Sequence, residues 1–188
     1  MPEGLCGDSP TDVFRVFHDH LNDLLHHTIT DAPLVQIIKG DRAFLEFRQA
    51  GASVAVNVGK GYHLYLNQAL KAKRQKKKEY RLKTLTYAYR IAEGPKLEEE
   101  WFWRWEYVSR EHQDGLHPRN HCHLPLDLDC LGQNLPLNKL HIPTGWVTIE
   151  EVIRFLIHEL KVKPKSAEWD KHLRDSEEKF RLWTARGE

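Results

Sequence analysis

Long apolar stretches are missing from this sequence of 188 residues. No run approaches the roughly 18 apolar residues that a membrane-spanning helix needs, so a transmembrane protein is not expected. The N-terminal residues MPEGLCGDSP also lack a basic stretch followed by an apolar one, which is the pattern of a secretory signal. Together these absences predict a cytoplasmic protein that has no membrane partner.

Cysteine is scarce as well. The three residues Cys6, Cys122 and Cys130 are an odd number and show no Cys-x-x-Cys spacing. Their number argues against a disulfide framework, their spacing argues against a structural zinc knuckle, and both fit a reducing compartment. Because no neighbouring base activates them, we interpret all three as ordinary thiols.

What the sequence does have is enough apolar material for a core, with 40% hydrophobic and 10% aromatic residues. The length suits one domain over residues 1–188. Within it we predict a helix at 9–27, a mainly antiparallel sheet over 34–142, and two C-terminal helices over 148–185. The predicted fold class is therefore α+β.

Capping residues mark the first two helices. Ser9 precedes Pro10, an arrangement that favours a helix start, and Thr148 with Glu151 forms a capping box for the second helix. Ser166 is predicted to open the third helix. Four histidines on the polar side of the first helix are expected to be solvated: His18, His20, His26 and His27.

Alternating residues and turn signals predict the strands. Four short runs suggest an antiparallel meander, namely Leu34 to Ile38, Ala43 to Phe47, Ser53 to Val58 and Tyr62 to Leu66. Two longer strands are predicted at Tyr80 to Ile91 and Glu99 to Val108, and short ones at His121 to Leu126 and Lys139 to Ile142. Asn67 to Lys78 is expected to be a short helix or a loop at a sheet edge.

The formal net charge of +1 hides one strongly basic segment. Lys71 to Lys83 contains eight basic residues and one acid, a local charge of +7, so the rest of the chain is mildly acidic. Such a segment is either a solvated lysine-rich loop or a surface that meets phosphate. The candidate nucleic-acid-binding residues are Lys71, Lys73, Arg74, Lys76, Lys77, Lys78 and Arg81.

The strand Glu99 to Val108 has two different faces. Trp101, Trp103, Trp105 and Tyr107 are expected on one face, which should belong to the core. Arg104 and Glu106 share the other face, where an ion pair would hold the guanidinium ready for a phosphate. The alternative is that both residues only form cross-strand pairs on a solvated sheet face.

The second candidate element is the segment His117-Pro-Arg-Asn-His-Cys-His123. In a strand His121 and His123 project to one side and Cys122 to the other. Two imidazoles on one face either bind a divalent metal together with a third ligand, such as Asp127 or Glu106, or serve as base and acid in proton transfer. A histidine-rich loop without chemistry remains a further alternative.

The order of these features resembles the TumE-like proteins, toxins of small bacterial toxin–antitoxin pairs. The resemblance covers Tyr62 to Leu160 and rests on Tyr87-Ala-Tyr89, Arg104-Trp-Glu106, the His-Pro-x-x-His-x-His segment and a Leu-His-x-Pro-like exit into a helix. This chain has Glu106 where the family has Asp, and a longer loop from Ser109 to Leu116. The resemblance implies a cellular role as a toxin more than a mechanism.

Three functions are compatible with the sequence. The leading hypothesis is a toxin-like, metal-independent ribonuclease in which Arg104, held by Glu106, clamps the phosphate, His121 and His123 are acid and base, and His117 and Tyr89 assist. The second is a hydrolase with a divalent metal at His121 and His123, whereas the first needs no cofactor. The third is a non-enzymatic binding protein of a toxin–antitoxin or defence module. Partners that fit are RNA, a cognate antitoxin and further copies of the chain.

Overall fold

A computed structural model of the chain describes residues 5–76, 79–95, 101–112, 115, 117–124, 127–130, 133–136 and 140–185. The helices are α1 (Pro10–Thr28), α2 (Ile149–His158) and α3 (Trp169–Trp183). The strands are β1 (Leu5–Cys6), β2 (Leu34–Lys39), β3 (Arg42–Gln49), β4 (Ala52–Ser53), β5 (Val56–Gly59), β6 (Tyr62–Lys76), β7 (Glu79–Ala92), β8 (Trp101–Val108), β9 (Asn120–His123), β10 (Asp127–Cys130), β11 (Gln133–Pro136), β12 (Ile142–Pro143) and β13 (Thr184–Ala185).

One sheet contains eleven of these strands and organises the fold. Its main path runs β12-β9-β8-β7-β6-β3-β2, and every pairing along that path is antiparallel. The strands β10 and β11 form a separate two-stranded hairpin. An N-terminal helix, a mainly antiparallel sheet and two C-terminal helices confirm the predicted α+β class.

The long hairpin of β6 and β7 corrects one prediction. Asn67 to Lys78 was expected to be a short helix or a loop, but β6 continues through it to Lys76 and stays paired with β7, where Lys73 faces Arg81. The reason is tertiary: pairing along the hairpin satisfies the backbone groups of this segment, whatever its lysines prefer. Lys77 and Lys78 lie outside the described residues.

The three helices form a layer on one face of the sheet. Ser9 caps α1, and Thr148 with Glu151 forms the predicted capping box of α2. Phe155 of α2 packs on Trp103 and Trp105 of β8, with ring centroids 5.0 and 5.4 Å apart. Within the described ranges, none of the helices combines the length and apolar character that crossing a membrane requires.

A polar network crosses the helix layer and corrects the expectation that His20 is solvated. Ser176 Oγ donates to Glu150 Oε1 at 2.5 Å and accepts from His20 Nε2 at 2.9 Å. Glu150 is fully buried, and burial raises the pKa of its carboxyl group. Burial, together with the charge of Lys179, lowers the pKa of His20 to about 4. The network of His20, Glu150 and Ser176 therefore joins α1, α2 and α3, and its histidine stays neutral at neutral pH.

We predict that His20 makes the fold sensitive to acid. The pKa of His20 is about 4 in the folded chain and 6.5 when the residue is exposed. Its neutral form therefore contributes fully to the stability of the fold above pH 6.5, and this contribution is lost as the pH falls towards 4. His20→Gln keeps a hydrogen-bonding group and should flatten this dependence by ~2 kcal/mol between pH 7 and 4. Urea unfolding at several pH values measures it, with the exposed His27→Gln as control. Parallel curves for wild type and His20→Gln would contradict the assignment.

Candidate functional site

The site lies on the face of the sheet opposite the helix layer, where β7, β8 and β9 run side by side. Arg104 pairs across the strands with His123, and Glu106 pairs with His121. Directly paired residues of an antiparallel sheet project to the same face, so this register places four polar side chains together. Cys122 pairs with Trp105 and is buried on the other face, as the sequence predicted.

Glu106 is at the centre of the cluster. Its Oε2 atom lies 2.6 Å from Arg104 Nη2, 3.4 Å from His121 Nε2 and 3.7 Å from His123 Nε2. Arg90 of β7 approaches the other carboxylate oxygen at 3.9 Å. Burial alone would raise the pKa of Glu106, but the neighbouring His123 imidazole and the charge of Arg104 outweigh it and lower the pKa to about 2. The carboxylate is therefore ionised at neutral pH.

A third histidine completes the cluster. His141 immediately precedes β12, which pairs with β9, and its ring centroid lies 4.8 Å from that of His121 and 4.6 Å from that of His123. One ligand atom from each of these three histidines lies within 4.8 Å of the others. Burial and the neighbouring imidazoles lower the pKa of His141, which favours its neutral, metal-binding form. We define His121, His123 and His141 as the histidine cluster.

Sequence reasoning did not single out His141 as a site residue. The residue belongs to the Leu-His-x-Pro segment, whose motif was noticed, but its distance of 18 positions from His123 hides their proximity. The available signal was the predicted short strand Lys139 to Ile142, since pairing it with His121 to Leu126 brings the histidines together. The other candidate ligand, Asp127, has a side chain that lies outside the described part of the chain.

Hydrogen bonds orient the two β9 imidazoles. His121 Nδ1 lies 2.7 Å from the carbonyl oxygen of Pro118 and donates to it, so its Nε2 lone pair points into the site. His123 Nε2 lies 3.2 Å from Arg104 Nη2, which can only donate. Two imidazole lone pairs and one carboxylate oxygen therefore converge. Three acceptors at such distances are favourable when a cation lies between them.

A cavity of about 220 Å³ opens onto Glu106 and onto part of the histidine cluster. Glu106 lines it together with four histidines: His112, His117, His121 and His141. The ring of His117 lies 3.8 Å from that of His141, centroid to centroid. A small part of a substrate can therefore reach the Glu106 carboxylate and the imidazoles of His121 and His141 from solvent. His117, which the sequence suggested as a helper residue, lines the same cavity.

Two predicted placements on the long strands differ from the structure. Tyr89 pairs with Trp105 and is buried on the helix side, 2% exposed, so the sheet separates it from the histidine cluster. Trp101 was expected in the core with Trp103. A register shift in the β7–β8 pairing instead brings Trp101 to the site face, where its ring lies 5.2 Å from the Arg104 guanidinium carbon and 6.1 Å from the His123 ring.

The basic residues do not form one uniform surface. Lys73, Arg74 and Lys76 are exposed on the β6–β7 hairpin, whereas Lys71 is half-buried and pairs with Asp41 at 3.2 Å. Arg81 donates from Nε to the carbonyl oxygen of Thr184. Lys83, counted in the basic segment, is buried with 4% exposure. The exposed charge is thus concentrated near the tip of the hairpin.

No family model, no curated protein and no solved structure matches this chain. The resemblance to the TumE-like proteins therefore stays an expectation from short motifs. What the chain can do has to be inferred from its own side chains, above all from the arrangement of Glu106, Arg104 and the histidine cluster.

We predict that Glu106 stabilises the site by holding two guanidinium groups. Glu106→Ala leaves Arg90 and Arg104 facing each other without their shared carboxylate, and should lower the free energy of unfolding by ~1–3 kcal/mol. Glu177→Ala is the matched control, because Glu177 makes one 2.6 Å ion pair with Arg154 at similar exposure and should cost only ~0.5–1 kcal/mol. Urea unfolding of both variants measures the difference. Equal losses of unfolding free energy in the two variants would show that Glu106 does not stabilise the second guanidinium, that of Arg90.

Proposed function

We propose that this chain is a hydrolase that depends on a divalent metal ion, bound by His121, His123 and His141. The carrying observation is the convergence of three imidazole ligand atoms within 4.8 Å of one another. Three histidines suit zinc, iron, cobalt, nickel or copper better than magnesium or calcium, which prefer oxygen ligands. The sequence-based alternative of a metal at His121 and His123 thereby gains its third ligand.

Glu106 is the proposed fourth ligand. Metal–ligand bonds of about 2.05 Å in a tetrahedral site place neighbouring ligand atoms about 3.3 Å apart. The distances from Glu106 Oε2 to His121 Nε2 and His123 Nε2, 3.4 and 3.7 Å, lie close to that value. The wider 4.8 Å limit among the imidazoles means that the three rings would have to move closer together around an ion. Arg104 and Pro118 act in this scheme as groups that orient the ligands.

Such an ion supports hydrolysis by activating water. Bound by these four residues, a divalent ion would take a water as a fifth ligand and lower its pKa towards neutrality, which would supply a nucleophile in the cavity. His117 lines that cavity and is placed to accept the proton. Attack of this nucleophile on a substrate in the cavity would release the leaving group, which would take a proton from solvent. Arg104 would stabilise the negative charge that develops.

Metal binding is the first test. Calorimetric titration of the untagged, metal-free protein with zinc or cobalt should give about one bound ion per chain. His141→Ala should weaken binding at least ~100-fold, because it removes one of the three histidine ligands. His158→Ala is the control, since His158 lies on α2 and contacts Trp169 instead. A His141→Ala variant that binds as tightly as wild type would overturn the proposed site.

Activity is the second test. The metal-loaded protein should hydrolyse a phosphodiester such as bis(p-nitrophenyl) phosphate, and removal of the ion should abolish turnover. Restoration of turnover by the same ion, together with its loss in His123→Ala, ties the activity to the histidine cluster. Hydrolysis that persists unchanged in the metal-free protein would reject metal dependence.

The metal-independent ribonuclease is the second candidate, in the toxin-like role that the TumE resemblance implies. The observation that favours it is the direct contact of Arg104 with both Glu106 and His123, at 2.6 and 3.2 Å, which joins an anion-binding group to an acid–base group. RNA cleavage that survives chelation and disappears in both His121→Ala and His123→Ala is its expected result. Cleavage that stops on chelation rejects it in favour of the metal-dependent enzyme.

A further inference from the structure

Two arginines face each other on adjacent strands of the site. Arg90 of β7 pairs directly with Arg104 of β8, and both side chains lie on the face that carries the histidine cluster. Like charges in directly opposed positions destabilise a sheet. Their one described carboxylate neighbour is Glu106, which is 2.6 Å from Arg104 and 3.9 Å from Arg90. One carboxylate charge thus serves two guanidinium charges.

The hydrogen bonding of the two arginines is incomplete as well. Their side chains are only 25% and 22% exposed, and the Nε atom of each is buried with no acceptor among the described residues. A buried donor without a partner is unfavourable, and an arginine presents its donors in a planar fork that matches the oxygens of a phosphate. The two arginines therefore carry positive charge and hydrogen-bond donors that an additional anion with several acceptor oxygens would satisfy.

Aromatic rings flank this pair on both sides. The guanidinium carbon of Arg90 lies 5.1 Å from the ring centroid of Tyr65, and that of Arg104 lies 5.2 Å from the ring centroid of Trp101. Tyr65, Arg90, Arg104 and His123 form one continuous row across β6, β7, β8 and β9. With strands about 4.8 Å apart, the row spans about 14 Å and ends at the histidine cluster.

The basic hairpin belongs to the same sheet. Strand β7 connects the tip of the hairpin with the site, and the nine steps along the strand from Arg81 to Arg90 correspond to about 30 Å. Lys73, Arg74 and Lys76 are exposed at the far end. A polyanion is long enough to contact both the hairpin charges and the site, whereas a small phosphate ester cannot reach both.

We propose that this face binds single-stranded nucleic acid, with a backbone phosphate between Arg90 and Arg104 and bases stacked on Tyr65 and Trp101. Alternating cationic and aromatic groups are the combination that holds a single strand without reading its sequence. A base inside a duplex has no free face to offer to these rings. The proposal names the substrate class of the proposed hydrolase and rests on it for cleavage, but the binding itself needs no metal.

Binding is measured on the metal-free protein in chelator, by fluorescence anisotropy of labelled ten-nucleotide uridine RNA, thymidine DNA and a ten-base-pair RNA duplex. Wild type should bind a single strand at least ~10-fold more tightly than the duplex. Arg90→Gln and Tyr65→Leu should each weaken single-strand binding ~10-fold. Arg174→Gln makes the same charge change on α3, where Arg174 pairs with Asp170, and should change binding less than twofold.

The hairpin is tested through the salt dependence. A double variant, Lys73→Gln with Arg74→Gln, should reduce the slope of log affinity against log salt by ~1.4, because each lost phosphate contact removes about 0.7. Circular dichroism checks that every variant is folded. If Arg90→Gln does not fold, Tyr65→Leu still tests whether this face binds the single strand. A preference between the RNA and the DNA identifies which of the two is bound and supports the proposal.

Equal affinity of wild type for the single strands and the duplex would overturn the proposal, as would an Arg90→Gln protein that binds like Arg174→Gln. These results are separable from the metal titration. Metal binding without single-strand binding refutes the substrate class alone, whereas single-strand binding without metal binding refutes the proposed hydrolase alone.

Discussion

The arrangement of the site depends on the register between β8 and β9. Arg104 faces His123 and Glu106 faces His121 because the two strands pair at these positions. A shift of β9 by one residue would bring Cys122 to the site face and send the imidazoles of His121 and His123 into the core. The aromatic contacts of Trp105 and Tyr107 on the helix side stabilise the observed register, since Phe155 and Trp146 pack against them. The chemistry of one face is therefore held in place by the packing of the other.

The same division explains why polar groups accumulate on the site face. Residues of β6 to β8 alternate along much of their length between a helix-covered side and a half-exposed side, so the core takes the large apolar residues and leaves the other set free to be polar. The register shift near Trp101 is the local exception, and it moves one aromatic ring from the core side to the guanidinium of Arg104. A sheet that is packed on one side can carry like-charged neighbours such as Arg90 and Arg104 because packing elsewhere compensates for them.

Periodicity and capping residues were enough to predict the helices and most of the strands. They also predicted that Arg104 and Glu106 share one face of their strand and that His121 and His123 share one face of theirs, because that depends only on alternation along each strand. His141 and Arg90 were not found as site residues, since their proximity depends on strand pairing between distant segments. The extension of β6 through the lysines and the shift at Trp101 depend equally on pairing partners, to which local propensity is blind. Alternation along the sequence therefore predicts which residues of one strand share a face, whereas the residues that neighbour them on other strands are known only from the tertiary structure.

The two proposals are connected through the charge of Glu106. Arg104 and the proposed cation both use Oε2 of this carboxylate, so an ion that coordinates Oε2 weakens its hold on the Arg104 guanidinium. Two guanidinium charges and a dication would then face one carboxylate, which leaves the site strongly positive within a half-buried sheet face. Such an excess is favourable only when an anion joins the site, and a phosphate between Arg90 and Arg104 would supply it next to the activated water. Metal binding and phosphate binding are thus expected to reinforce each other, because each removes a charge imbalance that the other creates.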